Sequence, residues 1–338
     1  MLFSSNLSLQ EIITMSDPLV SIILFSYNQE EFLAASIESI INQSYQNLEI
    51  IISDNGSTDR SKEIIRSYMS DQRIIFLDHC SNKFNSIRQN EANALSKGKY
   101  ISVLYADDYY LLDKIKMQVE IFESLDEDYG LIHGPGYTLS VENNKKTFTP
   151  CSQVSGYCMG DLLDQWYEGF INPVAPLVRR NCFIEYPSDE DLFFGGEGLF
   201  LKFSMKYKLY LLNKPLVVMR QHENNAGKKL RANIEIHHAQ LTRLLKHPDF
   251  PSQFKLNIEK NLSYFKMNVA WHFIRSNDDF TFAKELYKEG IAWYPKNLFQ
   301  PKKLIGYILC HCPQLLIRFI NALLNILTGK VIKKSIDK

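Results

Sequence analysis

The chain has 338 residues, 45% of them apolar and 22% charged, enough to bury a catalytic domain with a smaller appendage and too apolar for a disordered tail. Its 38 basic and 38 acidic side chains cancel, which argues against a nucleic-acid binder, although residues 1–227 carry 19 basic against 30 acidic groups and residues 228–338 carry 19 against 8. Six scattered cysteines without C-x-x-C spacing indicate neither a zinc ribbon nor a disulfide scaffold, and they fit a reducing cytoplasm. Residues 1–17 lack the basic and continuous apolar regions of a secretory signal and read as an extension ahead of the first strand.

From there strand and helix signals alternate. "PLVSIILFSY" is a continuous apolar run of the buried parallel-strand type, followed by Phe32, Leu33, Ile37, Ile40 and Ile41 at helical spacing. "LEIIISDNGSTD" predicts a second strand, then a helix with Ser57 or Thr58 as N-cap and an apolar face at Ile64, Ile65 and Tyr68. A strand over Arg73 to Leu77, a helix over Ile87 to Leu95 and the strand "KYISVLY" complete about four units. That alternation predicts an α/β domain with an open, mainly parallel sheet.

Ligands of such sheets bind beyond the carboxyl ends of the strands. Tyr27 and Asn28, Asp54 and Asn55, and Asp107 and Asp108 fall at those ends. Adjacent carboxylates repel, so Asp107 and Asp108 need either water or a cation. Helix capping accounts for one of them, whereas a hard divalent cation shared with substrate phosphates accounts for both. "SDNGSTD" serves equally as a tight turn with a helix start or as a site where Asp54 accepts a hydrogen bond from a nucleobase N–H. Neither G-x-G-x-x-G nor G-x-x-x-x-G-K is present, so phosphate charge must be met by a metal.

The ordered pair "VSIILFSYNQEEFLAASIESIINQSYQNLEIIISDNGSTDRS" and "GKYISVLYADDYYLLDKIKMQV" resembles the family 2 glycosyltransferases of the GT-A fold, from residue 18 to about 225. The resemblance implies a GT-A-type, mainly parallel sheet flanked by helices and an inverting transfer from a nucleotide sugar, a UDP-sugar first of all, with Mn²⁺ or Mg²⁺. It places Asp54 on the base, Tyr27, Asn28 and Asn55 around the nucleoside, and Asn90 at the second position of an "R-N" pair whose first position is Gln89, with Arg88 one place off. The family's "D-x-D-D" falls on Tyr105 to Asp108, giving Asp107 to the ribose and Asp108 to the metal–diphosphate. Where similar enzymes carry "E-D", this chain has Glu197 and Gly198, making Glu197 the candidate base and Asp191 the second choice. "PLVVMRQHENNAG" resembles the family's strand plus "R-x-H", which would bring Arg220 and His222 to the diphosphate and metal. Bacterial surface polysaccharide or glycolipid assembly, with a sugar or lipid-linked saccharide acceptor, is the biological setting the resemblance implies.

Residues 18–227 are therefore taken as the transferase domain and 228–338 as a helical appendage, in which "AWHFIRSNDDFTFAKELYKEGIAWYPKN" resembles a single tetratricopeptide-like hairpin whose Trp271, Phe273 and Trp293 serve packing. After Pro313, Gln314, Arg318, Asn321 and Asn325 share a helical face and leucines, isoleucines and Phe319 fill the rest. The run is shorter than the about 20 residues that span a bilayer. It suits either an interfacial helix with the basic tail Lys330, Lys333 and Lys334, holding the protein at the inner face of the plasma membrane, or a helix packed on its own domain or a second copy. Oligomeric state is open. Two other functions compete with sugar transfer: a catalytically weak nucleotide-sugar-binding or scaffold protein, consistent with Gly198 and the absent first Asp, and a sugar nucleotidyltransferase, for which "SYNQEE" offers no Gly-rich basic loop.

Overall fold

The computed structural model describes residues 17–165, 171–192, 196–223, 225 and 230–328; all but the last residue of the expected extension at 1–17, and the lysines beyond 328, lie outside it. Strand β1 (Val20–Ser26) and strand β2 (Leu48–Asp54) are buried at every residue, as the central strands of a sheet covered on both faces must be. Successive side chains point to opposite faces, so β1 sends Ile23 and Phe25 into one core and Ile22 and Leu24 into the other. Helices α1 (Leu33–Ile41) and α4 (Lys114–Phe122) cover the second face, with Leu33, Ile37, Ile115 and Val119 buried there.

Strands β3 (Ile74–Asp78), β4 (Tyr100–Tyr105), β6 (Tyr129–His133), β9 (Leu177–Arg179) and β10 (Lys208–Leu211) complete a seven-stranded sheet in the order β10-β6-β9-β4-β1-β2-β3. Only β9 runs antiparallel, pairing with β4 and β6. Register brings Ser26 level with Asp54 and Phe25 level with Tyr105, so the turns after β1, β2 and β4 open on one edge. A second sheet, β5 (Tyr109–Tyr110), β11 (Val217–Gln221), β7 (Gly136–Ser140) and β8 (Lys145–Thr149), carries Arg220 to the same edge.

One sequence expectation is displaced. Helix α2 (Ser61–Ser67) starts after Arg60, and neither Ser57 nor Thr58 caps it. The Ser57 backbone N–H and hydroxyl both donate to Asp54, at 2.8 and 2.5 Å, and the Thr58 N–H donates to Asn28 Oδ1 at 2.8 Å. Those groups are committed to the turn before the helix begins. Gly56 sits there at φ 84°, where an added Cβ would meet the Ser81 backbone at 2.8 Å.

Helix α3 (Asn85–Leu95) and helices α5 (Met159–Gln165), α6 (Arg180–Glu185) and α7 (Gly196–Ser204) line the first core face. Helices α8 (Leu230–Lys246) and α9 (Lys255–Arg275) contribute Leu241, Leu244, Ile258 and Leu262 to that same core, so the C-terminal helices are built onto the sheet domain. Helices α9 and α10 (Phe280–Trp293) form the expected hairpin, with Asp279 accepting the Phe282 N–H at 2.9 Å as N-cap. Helices α11 (Pro301–Cys310) and α12 (Gln314–Thr328) end the described chain. On α12 the polar stripe divides: Gln314 and Arg318 are exposed while Asn321 is fully buried, because Arg275 of α9 reaches its side chain.

Candidate active site at the sheet edge

Two adjacent turns form one wall of the edge. Asp54, fully buried, spends one oxygen on the Ser57 N–H and the other on the Ser57 hydroxyl, with Lys62 Nζ 4.0 Å away. A carboxylate has about four acceptor positions, so Asp54 retains capacity for a further N–H. Asn28, in left-handed geometry at φ 51°, donates its backbone N–H to Ser57 Oγ and accepts the Thr58 N–H. Gln29 and Glu30 donate their N–H groups to Ser61 Oγ and Asp59, and the Arg60 N–H returns a bond to Glu30. Tyr27 stands half-exposed beside this brace.

Asn55 faces the other way. Its amide group donates to Asn82 and to the Lys83 carbonyl, and its oxygen accepts Arg88 Nε at 2.9 Å. Arg88 is buried and spans Asn55, the Ser81 carbonyl and Glu91. Both residues thus organise the turn from behind.

The opposite wall is built around the acidic pair, and its members are unequal. Asp108 is buried, its carboxylate accepting the Arg220 N–H at 2.9 Å; burial and then the neighbouring Asp107 charge push its carboxyl well above the usual range, against the pull of Arg220. The sequence expectation paired Asp108 with His222, whereas the carboxylate near His222 Nε2 is that of Asp107, at 3.2 Å. Arg220 Nη1 donates to the Asp107 carbonyl, and its guanidinium lies 4.7 Å from the Tyr109 ring and 5.3 Å from that of Phe32. Three contributors were not singled out from the sequence. Ser36 of α1 donates to the Ala106 and Asp108 carbonyls; Phe32 lies 5.2 Å from the His222 ring; Asn225 donates to Asp107 and accepts the His222 N–H. All three lie within the quoted segments, Phe32 there only as an apolar helix position.

The described residues hold no group of three or more candidate metal ligands. Asp107 and His222 together offer one carboxylate and one imidazole, both partly accessible, a donor set that fits a divalent cation whose remaining ligands come from substrate oxygens and water.

The remaining candidates, Asn90 of the expected donor-binding set and the two candidate bases, sit on α3, on α7 and on the chain leading into α7. Asn90 holds the loop before α7, donating to the Ser188 carbonyl and Glu190 and accepting the Ser188 N–H. Asp191 pairs with both Arg243 nitrogens at 2.6 and 2.5 Å, and that bond holds its carboxyl below the usual range. Glu197 belongs to the first turn of α7, its side chain outside the described residues. The position after it is occupied from another helix: a Cβ on Gly198 would lie 2.5 Å from Gln240 Cδ of α8. Phe25, Gln89, Tyr105, Pro173, Leu199 and Phe200 line an apolar cleft between α3 and α7, next to the ends of β1 and β4.

A mainly parallel sheet with one antiparallel strand, a small sheet carrying Arg220, and acidic residues gathered at the carboxyl edge define the GT-A class of fold. Structures with that layout include Staphylococcus aureus TarS 1–349 in complex with UDP, with TM-score 0.60 and 12% identity over 92% of each chain. A mannosyltransferase from Pyrobaculum calidifontis, in complex with GDP-Man and Mn²⁺, has TM-score 0.58 and 13% identity over 94% of this chain and 89% of the other. Within that class, residues 21–184, a little under half of the chain, match the model of glycosyl transferase family 2. One relative is Escherichia coli WfaP, a UDP-Glc:α-D-GlcNAc-diphosphoundecaprenol β-1,3-glucosyltransferase, 40% identical over 106 residues that cover 31% of this chain and 42% of WfaP. The chain spans about half the length of the first curated relatives it matches.

Proposed function

We propose that this protein is a metal-dependent, inverting glycosyltransferase that moves a sugar from a nucleoside-diphosphate donor, a UDP-sugar first of all, to a hydroxyl of a lipid-linked saccharide in bacterial surface polysaccharide or glycolipid assembly. The observation that carries this reading is the convergence, at one sheet edge, of the braced Asn28–Asp54 turn with the Asp107–His222–Arg220 cluster. The first wall suits a nucleoside, whose base N–H would meet Asp54. The second suits a diphosphate, which Arg220 would neutralise. Asp107 and His222 would hold a divalent cation, which would supply further positive charge for the leaving diphosphate.

In the transfer the acceptor oxygen attacks the anomeric carbon from the face opposite the diphosphate, and the broken bond's electron pair leaves on the diphosphate oxygen. The acceptor proton goes to a carboxylate, for which Glu197 is proposed. Asp191 stays the second choice, and its acidity and commitment to Arg243 make it the poorer proton acceptor. Support for the UDP donor and lipid-linked acceptor comes from WfaP, and for the cation from the Mn²⁺ complex of the Pyrobaculum enzyme. A lipid-linked acceptor, together with a nucleotide-sugar donor, would put the active site at the cytoplasmic face of a membrane.

The test incubates the protein with a panel of nucleotide sugars, with Mn²⁺ or with chelator, and measures released nucleoside diphosphate and product on GlcNAc-diphosphoundecaprenol. Cation-dependent release that rises with acceptor is expected. Release of pyrophosphate instead, or silence with every donor alongside retained UDP binding, overturns the reading.

A further inference from the structure

We propose that the outer faces of α11 and α12 form a docking surface for an anionic lipid bilayer, which the helices lie on and do not cross. Both helices bury one side in the C-terminal core, through Leu309 and Ile317. Their other sides present Ile305, Ile308, Leu315, Phe319, Ile326 and Leu327 to solvent, each more than half exposed. An ordinary surface helix does the reverse, turning leucines inward and amides outward.

A polar bolt enforces the inversion. Asn321, fully buried, donates to the Ile274 carbonyl at 2.7 Å and to Asn277 at 2.8 Å, and accepts Arg275 Nη1 at 3.1 Å; Arg275 Nη2 donates to Asn325 at 3.0 Å. Rolling α12 over to hide its leucines would strand all of these groups, so the apolar face outward is the state the fold specifies.

Charge selects the occupant. From Tyr294 to the last residue the sequence carries eight lysines and arginines against one acidic residue, Asp337, and Lys296, Lys302 and Arg318 are exposed. Acyl chains and anionic headgroups satisfy both features together. A second copy docked symmetrically would set like charges against each other, since a two-fold contact pairs a patch with itself. At about 1.5 Å per residue the fifteen residues of α12 span roughly 22 Å, short of a hydrocarbon core of about 30 Å. No helix among the described residues is long and apolar enough to cross.

The experiment floats the full-length protein with phosphatidylcholine vesicles, with and without phosphatidylglycerol, at low and high salt. Binding should require the anionic lipid and weaken with salt, and Phe319→Asp with Ile326→Asp should lower the partition coefficient at least about tenfold while circular dichroism stays unchanged. Should that double variant misfold, the lipid and salt dependence of the parent alone decides. A parent that stays unbound with acidic vesicles at low salt, or binds neutral vesicles equally well, overturns the proposal. So does light scattering that shows a dimer which the double variant splits, without vesicle binding. Neither donor nor turnover enters the measurement, so its failure is separate from failure of the transferase reading.

Discussion

Asp54 offers a test in which fold and recognition separate. Its two oxygens hold the Ser57 N–H at 2.8 Å and the Ser57 hydroxyl at 2.5 Å inside a fully buried turn. Asp54→Asn keeps the shape and one carbonyl oxygen. Ser57 N–H stays bonded, and the hydroxyl can accept from the new amide group, so the turn should lose no more than about 0.5–1.5 kcal/mol. What disappears is the charge that the proposed function sets toward the nucleobase. A charge-assisted hydrogen bond contributes about 1.5–3 kcal/mol, which predicts UDP affinity weakened roughly 10- to 150-fold. Asp54→Ala removes both acceptors and strands a buried N–H, so it should lower the melting temperature as well. Calorimetric titration of UDP and thermal melts of both variants distinguish the two costs. Unchanged UDP affinity in Asp54→Asn, with turnover lost, would refute nucleobase recognition and move Asp54 into the chemistry.

Asp107→Asn should abolish the gain in UDP affinity that Mn²⁺ confers in titration, while Asp108→Asn, which keeps an oxygen for the Arg220 N–H, should preserve most of it; the reverse order returns the cation to Asp108. Glu197→Gln should leave donor binding intact and slow transfer by about 10²–10⁴-fold, and if Asp191→Asn does this instead, the base is Asp191. Gly198→Asp should destabilise by forcing Gln240 aside, and adding Gln240→Ala should recover the loss in urea unfolding; equal stability of single and double variants contradicts the packing account. Lys114, wholly buried against Ser102, Gln118 and the Tyr110 ring, has its ammonium pKa pushed by burial well below 10.5. The unfolded chain therefore binds the proton more readily, and the parent should lose stability as pH falls from 10.5 toward neutral, a slope that Lys114→Met should flatten.

The central strands were legible because both their faces are buried, and "SIILF" or "EIII" has few other homes. The edge positions followed from strand polarity alone, which is why Asn28, Asp54 and Asp107 were found without knowing a contact. The three-residue β9 and the two-residue β5 escaped notice, since strands so short carry no periodicity and exist only through distant partners. The α2 start was misplaced for a related reason: Ser57 and Thr58 have cap chemistry, but Asp54 and Asn28 claim it first. Which of Asp107 and Asp108 would face His222 depends on β11 lying against β5, a pairing across more than a hundred residues. On α12 the stripe of amides was visible, and its inward direction was not, because Arg275 on another helix decides it.

The bonds between residues 28–30 and 57–61 run in both directions, Asn28 giving to Ser57 and taking from Thr58, Glu30 giving to Asp59 and taking from Arg60. Neither turn can therefore be inherited alone. An engineer replacing the "SDNGSTD" segment with the matching turn of a related protein would have to carry the partner of "YNQEE" with it, and a graft of one without the other should fail in both proteins for the same mechanical reason.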